Sequence, residues 1–201
     1  MPFLQQLWLV TLLFFASDGV CRTPLSSSLP VTLHAQETSD WCWAASAQMV
    51  MDYLGHNVTQ STQANNRFGR TDCPSKQCSS AAANPPCMGG GWPEFGRYGF
   101  TFKKTSNTAL TWDQLRNEVA NAQGCGQRPF VFSWHWPQDG GHMMVVNGYK
   151  TVEGKNYVSV LDPIPVCRGD AKIMLYEFYD SSPGDHTHWN DYYDIRYTGT
   201  H

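Results

Sequence analysis

The sequence predicts an α+β fold, an N-terminal helix packed against a C-terminal antiparallel sheet. Three observations carry that reading. Apolar residues recur at helical spacing just after residue 42, and a second helical stretch with a capping signal covers residues 111–124. The last third of the 201 residues then breaks into five short apolar and aromatic segments divided by Gly, Pro or Asp.

The first helix lies in "TSDWCWAASAQMVMDYLG", with Asp40 or Ser39 as N-cap and Gly55 as the stop. Trp43, Ala47, Val50 and Leu54 share one face, which anchors the helix in a core. Cys42 stands between two tryptophans at the helix entrance. Unsatisfied backbone N–H groups and the helix dipole stabilise negative charge there, a setting that suits a nucleophile more than a packing residue.

Residues 20–33, rich in Ser and Pro, read as an extended leader, and residues 56–100 read as irregular, dominated by Asn, Gly, Pro, Ser and Cys. "NVT" at Asn57 is a glycosylation sequon in a eukaryotic secretory pathway. In the second helix Thr111 and Gln114 have capping-box spacing, Leu115, Val119 and Ala122 share a face, and Gly124 closes it. The strands are "PFVFSW", "HMMVVNGY", "NYVSVLDP", "KIMLYEFY" and "YYDIRY", with a hairpin turn at 152–155 joining the second and third. No internal repeat is visible.

The net charge of -3 gives no footprint for nucleic acid. Eight Trp and nine Tyr fit an extracellular domain built around large rings. "LWLVTLLFFA" is too short to span a bilayer and lies where a secretory signal belongs, with small residues at Ser17 and Gly19 for cleavage. The expected organisation is therefore a signal peptide at 1–19, a leader at 20–32 and one domain at 33–201. With Cys42 reduced, Cys21, Cys73, Cys78, Cys87, Cys125 and Cys167 form an even set for three disulfides, which favours cleavage before Cys21. Zinc is the competing use of Cys73, Cys78 and Cys87, but no CxxC pair or close His accompanies them. The expected protein is an extracellular or periplasmic monomer without stable membrane insertion, and no cofactor or metal is implied.

A thiol nucleophile needs a base, a group to orient the base, and donors for an oxyanion. His142 opens the strand "HMMVVNGY" behind Gly140 and Gly141 and is the first choice of base, with His135 second. Asp162 ends the strand "YVSVLDP". If those two strands form a hairpin, Asp162 lies at the same end as His142 and orients it, with Asn147 the nearest amide alternative. Gln36, six residues before Cys42, offers a side-chain amide for the oxyanion.

Gln36, "CWAAS", "GGHMMVVNGY" and "VLDP", in that order, resemble the papain-like cysteine proteases. "DWCWAASAQMVMDYLG" is most similar to the papain-like avirulence effector proteases of bacteria. The resemblance spans residues 33–198. It implies a papain-like fold with Cys42 as nucleophile, His142 as base, Asp162 as orienting carboxylate and Gln36 at the oxyanion hole, acting on a protein or peptide substrate. Other acyl-transfer enzymes share this apparatus, among them amidases, peptidoglycan amidohydrolases and transglutaminase-like crosslinkers. A non-catalytic extracellular binding domain is the reading outside enzymology.

Overall fold

The computed structural model describes residues 20–74, 85–138 and 140–199. The expected signal at 1–19, Cys78 and His201 lie outside the described residues. The elements are β1 (Ser26–Ser28), α1 (Cys42–Tyr53), α2 (Gln60–Phe68), β2 (Phe100–Lys104), α3 (Trp112–Val119), β3 (Phe130–His135), β4 (Gly141–Val152), β5 (Lys155–Asp162), β6 (Asp170–Leu175), α4 (Tyr176–Asp180) and β7 (Thr187–Tyr197). This is the expected α+β arrangement, helix first and antiparallel sheet after.

The sheet runs β2-β7-β3-β4-β5-β6, every pairing antiparallel. Along β3, β4 and β5 the side chains alternate between its two faces. Val131, Met143, Val145 and Leu161 join α1 in one core, while Phe130, Phe132, Met144, Val146, Val158 and Val160 join α3 and Tyr179 of α4 in another. The sheet is thus covered on both faces. As a result α1 is buried nearly all round, from Trp43 to Met51, rather than along the single stripe the sequence suggested.

The hairpin between β4 and β5 turns at Glu153 and Gly154, both at positive φ (50° and 73°), the geometry of a two-residue turn matched to strand twist. Its register pairs Val152 with Lys155 and Val145 with Leu161, and a bulge at Asn147 interrupts the ladder. β1 fills the edge of β4 beyond that bulge, where β3 has ended. Leu29 N–H donates to the Asn147 carbonyl at 2.8 Å, and the Asn147 side chain takes up Leu29 O and Ser159 Oγ. Asn147 is therefore occupied in holding β1.

Several local expectations are corrected. Trp41, not Asp40 or Ser39, caps α1, and it does so without a side-chain bond, because Asp40 sits in the left-handed region at φ 64°. The region read as irregular contains α2, capped by Thr59 onto Thr62 N–H and closed by Gly69, and β2 begins at its last residue, Phe100. α3 begins on the expected Thr111–Gln114 capping box but stops at Val119. The N–H groups of Gly126 and Arg128 take the Asn117 and Glu118 carbonyls, so the chain turns back before Gly124. The strand expected over 172–179 ends at Leu175, and the α4 turn places Tyr176 and Tyr179 three residues apart to reach Leu110 O and Asp191 Oδ1.

Two disulfides are present, Cys21–Cys125 and Cys73–Cys87, and Cys167 is disulfide-bonded as well. The Cys73–Cys87 bond removes the zinc alternative. Cys21–Cys125 closes 104 residues and ties the segment carrying β1 to the loop after α3. Replacing both Cys21 and Cys125 with serine is expected to lower stability by about 2–4 kcal/mol, because the unfolded chain regains the freedom the closed loop denied it. Denaturant midpoints of the two proteins, compared without reductant, check this. An unchanged midpoint would show that β1 is held by the sheet alone.

Candidate active site

The two tryptophans beside Cys42 face a loop rather than each other. Trp41 is fully buried and donates its indole N–H to the Cys87 carbonyl at 2.8 Å, and Trp43 donates to the Gly89 carbonyl at 3.2 Å. Together with the Cys73–Cys87 bond they fix the 87–92 loop against the start of α1. Cys42, at the first position of the helix, is half-buried and is the free cysteine among the described residues. It opens into a cleft of about 240 Å³ lined also by Gly90, Gly91, Trp92, Ser133, His142 and Trp189. Trp92 meets Trp189 edge to face at 4.5 Å, forming one wall.

His142 enters from β4. Gly141 before it has no room for a side chain, since a Cβ there would overlap the Trp134 carbonyl and press on the Trp189 ring. That close approach explains the glycine at the rim. His142 is buried, and its Nε2 lies 2.7 Å from Asp162 Oδ1. With the carboxylate ionised, Nε2 carries the hydrogen, which leaves Nδ1 as the nitrogen able to exchange a proton with the thiol. Nδ1 is buried and makes no hydrogen bond of regular geometry among the described residues. The Cys42 side chain is nevertheless near enough to act on the ring. Burial disfavours the imidazolium, yet the Asp162 hydrogen bond and the Cys42 charge outweigh it and push the His142 pKa from 6.5 up to about 9.

Asp162, at the end of β5, is pinned three ways: by His142, by Ile164 N–H at 2.9 Å, and by Lys172 Nζ at 2.6 Å from Oδ2. Burial works against its charge, but these donors prevail and hold its pKa below the usual aspartate value. Lys172 was not foreseen in the sequence. It comes from β6, where Val160↔Lys172 and Asp162↔Asp170 set its place beside the carboxylate.

Cys42, His142 and Asp162 are therefore brought together. Gln36 is only 4% exposed, with Oε1 buried and unpartnered, and its Nε2 donates to no described residue. Its backbone is bound on both sides, N–H to the Pro163 carbonyl at 3.0 Å and C=O to Cys167 N–H at 2.8 Å. It is not part of the lining of the Cys42 cleft. His135, the second choice of base, lies edge-on to Trp189. The remaining described histidines are engaged elsewhere: His34 with Asp52, His56 stacked on Tyr197, His186 with Asp185, His188 with Asp191. Arg67, Trp92, Trp189 and the 89–91 loop also went unforeseen, and the run "MGGGW" is the sequence signal for the loop.

Among the described residues no group of His, Cys, Asp and Glu is arranged to hold a metal, and no helix is long and apolar enough to cross a membrane.

Residues 28–191 match the Peptidase_C39 like family, and the chain belongs to it. Among solved structures, the chain is similar to one from a study of limited antibody cross reactivity between the mite allergens Blo t 1 and Der p 1. The TM-score is 0.48 at 14% identity, over 90% of this chain and 73% of that one. No curated protein matches the sequence.

Proposed function

We infer that the protein is a papain-like thiol peptidase that hydrolyses peptide bonds through a thioacyl-enzyme. The observation that carries this is His142, held by Asp162 through Nε2 and presenting Nδ1 toward Cys42. Membership of the Peptidase_C39 like family supports it. The Cys42 thiol gives its proton to His142 Nδ1 and its sulfur attacks the scissile carbonyl carbon, and the C=O electron pair becomes an oxyanion that the Cys42 backbone N–H and the Gln36 amide stabilise. As the tetrahedral intermediate collapses, the C–N bond breaks and the His142 imidazolium gives its Nδ1 proton to the leaving amine. The neutral imidazole then takes a proton from water, whose oxygen attacks the thioester and releases the acid and the Cys42 sulfur.

The disulfides, with the apolar segment before residue 20, support an exported protein whose signal spans 1–19, with the catalytic domain over 33–201. The finer likeness to bacterial avirulence effector proteases rests on the residues around Cys42 alone. The test is labelling with a thiol-directed epoxide followed by peptide mapping. Modification confined to the peptide containing Cys42, with loss of casein hydrolysis, is expected. Label spread over several cysteines without loss of hydrolysis would remove the assignment.

A further inference from the structure

The α2 helix buries glutamines where a helix ordinarily buries apolar side chains, and one of them reaches the segment before the nucleophile. Gln60 is 1% exposed. Its Oε1 accepts from Glu37 N–H at 2.9 Å, and its Nε2 donates to the Ala35 carbonyl at 2.9 Å. One side-chain amide therefore bonds the residues on both sides of Gln36, as a neighbouring strand would. Across from it the Gln36 backbone pairs with Pro163 and Cys167, in the segment that follows Asp162. Gln60 Nε2 also contacts Gln48 Oε1 on α1 at 3.2 Å, and Gln48 Nε2 donates to Asn57 Oδ1 at 3.0 Å.

We propose that Gln60 is a positioning residue for the oxyanion site: by bonding Ala35 O and Glu37 N–H it fixes the backbone from which the Gln36 amide is presented. The physical case is that the Gln36 side chain has no partner of its own to fix it. Its Oε1 is buried without a bond, and its Nε2 has no acceptor among the described residues. Its aim is therefore set by the backbone that carries it, and that backbone is clamped between the Gln60 amide and residues 163–167. A buried amide pair is stiff because releasing it leaves two backbone groups and one amide unsatisfied away from water. Preorganised donors are where an oxyanion site gains its effect. This inference rests on the peptidase reading and on Gln36 as oxyanion donor.

The experiment separates chemistry that creates an oxyanion from chemistry that does not. The variants are Gln60→Met, which keeps the volume and removes all three side-chain bonds, Gln60→Glu, which keeps only the acceptor, Gln36→Ala, and Gln36→Ala with Gln60→Met. Each is melted to confirm folding, and Gln60→Glu carries the test if Gln60→Met does not fold. Each is then measured for affinity toward the peptide aldehyde acetyl-leucyl-leucyl-norleucinal, whose thiohemiacetal carries the oxyanion, and for the rate of Cys42 alkylation by iodoacetamide, which forms none. Losing an oxyanion donor outright costs about 10²–10³-fold, so misplacing one is expected to weaken aldehyde affinity by about tenfold or more. Alkylation should stay within about twofold of wild type, and Gln60→Met should add nothing once Gln36 is alanine. Equal loss in alkylation, or an undiminished Gln60 effect in the Gln36→Ala background, overturns the positioning role. Aldehyde affinity unchanged by Gln36→Ala overturns it by removing Gln36 as donor. A wild-type chain that neither binds the aldehyde nor cleaves casein removes the peptidase reading beneath both.

Discussion

Cys42→Ala is expected to take casein hydrolysis to background while leaving the melting curve close to that of the parent chain. Alanine is the better helix former, and Cys42 is half-buried at the first position of α1, so little packing is lost. The whole effect should appear in turnover because no second nucleophile is proposed. Hydrolysis retained by the folded variant would end the assignment of Cys42.

The second large effect concerns the base. His142→Ala is expected to lower kcat/KM by about 10²–10⁴-fold, the usual range for a positioned general acid–base group. Asp162→Asn should cost less, because the carboxylate orients the ring and stabilises its charge without itself carrying the transferred proton. The pH profile distinguishes the two roles. Since His142 is pushed up to about 9, the imidazolium that protonates the leaving amine persists through neutral pH, and activity should fall as pH rises through about 9. Asp162→Asn replaces the carboxylate hydrogen bond, the strongest support for that imidazolium, with a weaker bond to a neutral amide, so the basic limb moves to lower pH. A limb that stays in place would mean that Cys42, not Asp162, sets the His142 proton.

Stability follows the same groups with definite signs. The His142 pKa is higher in the folded chain than its ordinary 6.5, so its stabilising contribution is complete below 6.5 and is lost as pH rises through about 9. The Asp162 pKa is lowered, so its contribution is present above the ordinary 3.8 and is lost as pH falls through the folded value.

How much of this could be read from residues alone depends on where apolar patterning carries the signal. The α1 and α3 helices, β3 to β5 and the hairpin turn announce themselves because hydrophobic periodicity and turn chemistry agree there. For the same reason the residues alone place His142 and Asp162 at one end of a hairpin. The α2 helix is hidden because the face it buries is Gln60, Gln63 and Ala64, and its attachment to α1 is polar, through Gln63 Nε2 to the Ala44 carbonyl at 2.9 Å. Ser26–Ser28 reads as linker because a strand that fills a gap beside β4 needs only its backbone. Asp40 has the right chemistry for a cap but a backbone turned the wrong way. Lys172 is invisible because its partner lies across a strand pair whose register the sequence does not state.

The place of β7 has a consequence for how the protein comes into being. Strand β7 is not at the margin of the sheet but between β2 and β3, two strands synthesised well before it. Until β7 emerges, β2 has no neighbour and the sheet under the cleft stands in two pieces. Trp189, which walls the cleft, belongs to that same late strand. A growing chain therefore carries its thiol from residue 42 onward, but gains the proposed base at 142, the carboxylate at 162 and the Trp189 wall of the cleft only with β7. Such long-range pairing is slow to form. The thiol, imidazole and carboxylate therefore share a walled cleft only after β7 has been made and paired, and a copy halted before residue 187 lacks the arrangement on which the proposed cutting depends.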